Sequence, residues 1–275
     1  MGIIAVGQTL VIVSGGIDLS VGSVAALSGV VGCLAMTKGG MSPLAGMLAG
    51  MNMGLLCGLI NGLLTTRGRI PSFIVTLGMM MAARGFALLL AKGQTISGLP
   101  QNFLYLGGTR EVFGARGWWI PVVITVAIAV VASIVLLATR YGRSLYATGG
   151  NAEGARLSGV STDRIRVIAF TYCGLLSGFA GVVLASRTSI GDPSAAAGVE
   201  LDAIAACVIG GASLMGGEGG CIGSLAGALI MNVLVNVCNL KGYNAYWQSI
   251  LIGGLIVFLV CYDSARKRRA GLLRD

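Results

Sequence analysis

The chain has 275 residues, 55% of them hydrophobic and only 11% charged, with 45 glycines, a formal net charge of +9 and no histidine; its mean hydropathy is +0.87. Soluble domains carry about a quarter charged residues, so this composition excludes a soluble enzyme or binding domain and describes an all-α integral membrane protein of closely packed helices. The lack of histidine removes His-based triads, His proton relays and the usual zinc sites. The seven cysteines, none in a Cys-x-x-Cys pair, read as packing residues rather than as a disulfide or metal framework.

The first apolar run, residues 2–14, has neither a basic flank nor a small-residue cleavage pattern, which argues against a removable signal peptide. It and the second run, 21–37, flank Ser14-Gly-Gly-Ile-Asp-Leu-Ser20. That stretch predicts a break at membrane depth, which is tolerated only where protein covers it or a wet cavity adjoins it. Asp18 is placed to cap the helix beginning near Val21. Runs at 43–66 and 71–91 carry Asn61 and Arg84 respectively; Arg84 lies about 20 Å along its helix from Pro71, too deep to snorkel easily. Further runs at 118–139, 167–187, 199–215, 221–239 and 245–262 bring the total to nine candidate spans or half-spans of one domain covering 1–275.

Between the fifth and sixth runs lies a polar island, about 140–166. Asn151 predicts an N-cap for a short helix through Glu153, Ala155, Arg156 and Leu157, and Gly159 stands where a left-handed stop is expected. Ser161 or Thr162 then starts a fresh helix. The island is either a solvated loop or a docking helix lying flat on the membrane, offering Arg156 and Leu157 to a soluble partner. Twelve Lys and Arg residues, Arg156 and the tail at 264–275 among them, fall on the island's face and six on the other. The positive-inside rule therefore puts the island and the tail in the cytoplasm. Nine crossings with the C-terminus inside leave Met1 outside, so a further N-terminal span is expected to precede it.

A short repeat links Pro43-Leu-Ala-Gly46 to Ser224-Leu-Ala-Gly227 at an offset of 181, and sets Asp18 one residue short of Glu200. The two copies run in opposite senses through the membrane, as in carriers that alternate access around a central site. Asp18, Arg84, Glu200 and Asp202 lie in or against apolar runs, where charges face a cavity or a partner. Asp18, Asn61, Arg84 and Glu200 are therefore candidates to brace or line a path, with Arg84 paired to Asp18 or Glu200. Gly216-Gly-Glu-Gly-Gly220 is a turn rather than a nucleotide loop, since no G-x-x-x-x-G-K-[ST] occurs in the chain. No catalytic residue, metal site, cofactor or nucleic-acid partner is expected.

Three stretches together resemble the membrane permease of monosaccharide ABC importers: Gly7-Gln-Thr-Leu-Val-Ile-Val-Ser-Gly-Gly-Ile-Asp-Leu-Ser-Val-Gly-Ser23, Ile70-Pro-Ser-Phe-Ile-Val-Thr-Leu-Gly78, and Tyr146-Ala-Thr-Gly-Gly-Asn151 through Gly159. Glu200-Leu-Asp-Ala-Ile-Ala205 followed by Val208-Ile-Gly-Gly-Ala-Ser213 is similar to the same family's later signature, as is Trp247-Gln248. This is the ribose, galactose, xylose and arabinose branch of a superfamily that also holds branched-chain amino-acid permeases. The resemblance implies ten spans and a dimer of permeases in a bacterial inner membrane. It also implies two ATP-binding cassette ATPase subunits, a periplasmic sugar-binding protein, and a coupling helix over 151–159. Outside that resemblance, a proton-coupled carrier using Asp18, Glu200 and Asp202 stays open, as does a noncatalytic assembly or signalling protein.

Overall fold

The computed structural model describes residues 1–112, 115–244, 246–248, 250–254, 257, 258 and 261. The tail at 264–275 and parts of the ninth predicted run lie outside the described residues. The helices follow the apolar runs: α1 Gly2–Val13, α2 Val21–Thr37, α3 Pro43–Thr66, α4 Ser72–Ala91 and α5 Trp119–Ala138. After these come α6 Arg140–Gly150, α7 Ala152–Leu157, α8 Thr162–Thr188, α9 Val199–Ile209 and α10 Cys221–Leu240. Among the described residues α3, α4, α5, α8 and α10 are long and apolar enough to cross a membrane, while α1 and α2 are shorter apolar helices. A 3-10 turn, Gln101–Tyr105, and a two-stranded ribbon of Glu111–Val112 with Ala115–Arg116 occupy the long α4–α5 connection.

The helix α2 is apolar all round and buried along nearly its whole length, as such a helix must be. It is enclosed by α3, α4, α8 and the start of α9. The tightest contact is between α3 and α8. Gly46, Gly50, Gly54, Gly58 and Gly62 recur every fourth residue and so share one face of α3. A Cβ on Gly58 would stand 3.0 Å from the Cα of Gly174, and one on Gly62 2.9 Å from that of Val167. The two backbones therefore touch directly, which is how membrane helices gain packing energy where lipid is as apolar as leucine.

These contacts also give directions. From Gly50 to Gly62 the facing residues on α8 fall from Gly178 to Val167, so α3 and α8 are antiparallel. Gly7 lies against Cys173 and the Ser14 carbonyl against Arg166, so α1 also opposes α8. Asn61 meets Ser20 and Gly46 meets Gly32, so α2 opposes α3. Thr9 meets Ser224 and Met1 meets Asn232, so α10 opposes α1; Ala206 meets Gly227 and Gly210 meets Gly223, so α9 opposes α10. The triplet α1–α2–α3 and the triplet α8–α9–α10 thus run in opposite senses, helix for helix. Each is interrupted after its first helix, at residues 14–20 and 189–198.

One element departs from the sequence reading, which treated residues 140–150 as part of a loop. They form α6, because the Thr139 hydroxyl accepts from the Gly142 amide at 3.2 Å and starts a new helix where α5 stops.

Candidate functional site

The first break is held by side chains from three helices. Asp18 is 1% exposed, and its Oδ1 accepts from the Ser20 amide at 2.8 Å and the Ser20 hydroxyl at 2.6 Å. Ser20 Oγ in turn accepts from Asn61 Nδ2 at 2.9 Å, tying the break to α3. With its amide turned to satisfy both groups, Gln8 of α1 spans the Asp18 backbone, donating to the carbonyl at 3.1 Å and accepting from the amide at 3.3 Å. From α4, Ser72 Oγ accepts from the Ile17 amide at 3.2 Å and Thr76 Oγ1 donates to the Ile17 carbonyl at 3.3 Å. The irregular backbone is therefore satisfied internally, as burial requires. Asp18 does not cap α2 as expected. The cap position falls on Ser20, whose side chain makes no bond to the helix amides, because the Asp18 carboxylate has already engaged it.

The second break is held by Arg84. Its Nη1 donates to the carbonyls of Pro193 and Ala195, each at 2.8 Å. The expected pairing of Arg84 with Asp18 or Glu200 is thus corrected. Irregular backbone leaves carbonyls without ladder partners, and the two hydrogens of one guanidinium NH2 answer two at once. Glu200 and Asp192 are near enough to attract the charge. Glu200 Oε1 accepts from the Gly198 amide at 3.3 Å, while Oε2 is buried without a partner and lies where a Cβ on Gly22 would be. The starts of α2 and α9 therefore meet at Gly22, Ala196 and Glu200, with the carboxylate at the positive end of both helices. Beside them lies a cavity of about 240 Å³ walled by small residues, including Ala25, Gly29, Gly181 and Ala196.

The island forms the third part. Asn151 Oδ1 accepts from the Gly154 amide at 2.8 Å, Glu153 lies in the first turn of α7 and Arg156 in the last, which suits the helix dipole at both ends. Ala155 is buried beneath the helix, whereas Leu157 is 83% exposed. Gly159 takes φ +85°, a left-handed conformation that separates α7 from α8.

Sequence reasoning missed how α7 is wired in. Tyr146 on α6 donates its hydroxyl to the Gly219 carbonyl at 2.6 Å; burial pushes this phenol above the usual tyrosine range, so it stays a donor. Gly149 is pressed against the Val13 carbonyl and Gly217, whose amide donates to that same carbonyl at 3.0 Å. Arg166 Nε donates to the Ser14 carbonyl at 3.4 Å. α6, which leads directly into α7, therefore touches both the end of α1 and the α9–α10 turn through a handful of contacts. The signal was present in Tyr141 and Leu145, an i, i+4 pair following a Thr cap.

An inverted pair of broken helix triplets, with an exposed capped helix joined to both, defines a multi-pass membrane transport protein rather than an enzyme. Residues 1–260 match the model of the family described as branched-chain amino acid transport system / permease component, and the chain belongs to that family. It is 41% identical over 273 residues to the ribose import permease protein of Bacillus subtilis, covering 98% of this chain and 82% of that one. The ribose import permease protein of Escherichia coli K12 is 38% identical, at 96% and 82% coverage. The L-arabinose ABC transporter permease protein of Azospirillum brasilense is 38% identical, at 98% and 78%. No solved structure matches the chain.

Proposed function

We propose that this chain is the membrane-spanning permease of an ATP-driven importer for a monosaccharide or a similar polyol-like solute. ATP hydrolysis takes place on a separate ATP-binding cassette subunit that grips α7 through Arg156 and Leu157. A periplasmic sugar-binding protein delivers the solute, a second permease completes the pathway, and the assembly sits in a bacterial inner membrane with α7 and the C-terminus in the cytoplasm. The observation that carries this reading is an 83% exposed Leu157 on a capped helix whose base is locked into the core. An apolar side chain held out in solvent on a rigid mount is what a docking contact needs.

The mechanism is mechanical. Closure of the ATPase pair displaces α7, and α6 passes the displacement to Val13 and to Gly217 and Gly219. The triplets then tilt against each other to open the pathway alternately to each side. Asp18 and Asn61 brace the first break, Arg84 braces the second, and Glu200 stands where the two half-helices meet. A sugar offers hydroxyls and no charge, so small walls with few polar groups let it leave as readily as it enters. The names of the most similar relatives support a sugar over an amino acid.

Uptake of a panel of labelled monosaccharides by cells carrying the whole importer tests this reading. Vanadate should stop uptake and a protonophore should not. The reverse pattern would return the function to a proton-coupled carrier.

A further inference from the structure

A second cavity, of about 690 Å³, opens on the α7 face between the first break, the α3–α4 turn, α7 and the start of α8. Its character differs from that of the small-residue cavity beside Glu200. Arg69, Arg156 and Arg166 line it together with Asp163, Thr65 and Ser72. Three arginines and one carboxylate give the lining a formal excess of two positive charges. Arg69 is presented there at φ +52°, a left-handed conformation that costs a non-glycine residue energy, and its side chain has no hydrogen bond among the described residues. The first turn of α4 borders the same space, and its cap position, Pro71, offers no side-chain bond to the free amides.

We propose that this cavity binds a small phosphate monoester dissolved on the α7 side, with the phosphate between Arg69, Arg166 and the start of α4. Paired arginines suit phosphate oxygens, and the space is large enough for a polar body of sugar size beside the phosphate. An occupant would touch Arg156 of α7, Gly15 and Gly16 of the break, and Ser72 of α4 at once, fixing the coupling helix relative to the core. Resting on the sugar-importer reading, the ligand class is the ester made when an imported sugar is phosphorylated, so that accumulating product slows entry. The binding step itself does not depend on that reading.

The test uses the purified permease alone, without ATPase, so that its failure is separate from failure of the transport reading. Calorimetric titrations with ribose 5-phosphate, inorganic phosphate and ribose should show saturable binding of the ester, weaker binding of phosphate and none of ribose. Arg69→Gln should weaken ester binding about tenfold through loss of charge-assisted hydrogen bonds. Arg69→Gly should weaken it similarly while raising the melting temperature of the unliganded protein, because glycine accepts the left-handed backbone. No binding by either phosphate, or unchanged binding in both variants, would overturn the proposal. So would loss of ester binding in nanodiscs containing phosphatidylglycerol but not in neutral ones, since a lipid headgroup would then own the site.

Discussion

At Gly58 the fold depends on the absence of one carbon. A Cβ there meets the Phe170 carbonyl and the backbone of Gly174, so neither neighbour can yield by rotating a side chain. Gly58→Val should therefore cost more than the roughly 1–3 kcal/mol usual for an overpacked core and reduce the amount of folded protein in the membrane. Gly78→Ala, where no atom lies within 4 Å, serves as the control and should be silent. Equal abundance and equal melting temperature of the two variants would contradict the α3–α8 contact. Arg84 makes a different kind of prediction. Arg84→Met leaves the carbonyls of Pro193 and Ala195 without their donor, at about 1–3 kcal/mol for each group that stays buried. The helices remain packed, so hydrogen exchange should quicken across 190–198 and not in α8. Unchanged exchange in that segment would mean that Arg84 does not hold it.

At the scale of elements, most of the apolar runs were legible to within a few residues because polar punctuation interrupts them, but the run 199–215 is helical only to Ile209. Ser42-Pro43 opens α3 and Asn151 opens α7, both with a side-chain cap bond. The partner of Arg84 was not legible, because the groups it binds are main-chain carbonyls, which every residue carries and no sequence marks. The α3 glycine face was written plainly at a spacing of four but was absorbed into the general glycine richness. α6 was overlooked although its Thr139 cap and the Tyr141/Leu145 pair marked it; beyond its neighbours α5 and α7 it packs on α8 and, far away in sequence, on α1, and Tyr146 reaches Gly219. That wiring predicts a separable phenotype. Tyr146→Phe removes the bond to the Gly219 carbonyl, at about 1 kcal/mol, while leaving α7 in place. The ATPase should still co-purify and still hydrolyse ATP, with less solute moved per ATP. A normal ratio of transport to hydrolysis would rule out α6 as the connecting element.

At the scale of the whole molecule, two inverted triplets share a central seam where α2 and α9 begin, and the exposed helix α7 is joined to both through α6. The inversion was readable from a short repeat at an offset of 181, yet its physical content appears only in the contacts that set each helix antiparallel to its neighbour. The central claim is that α7 is the handle by which a soluble ATPase drives this body. Leu157→Asp tests it most directly, in the complete importer reconstituted with ATP and measured for both ATPase retention and sugar uptake. Leu157 touches little of its own chain, so melting temperature and membrane abundance should stay at wild type. A charge pressed into an apolar socket should cost about 2–4 kcal/mol of docking and release the ATPase, abolishing uptake. Full retention of the ATPase together with normal ATP-dependent uptake would contradict the account.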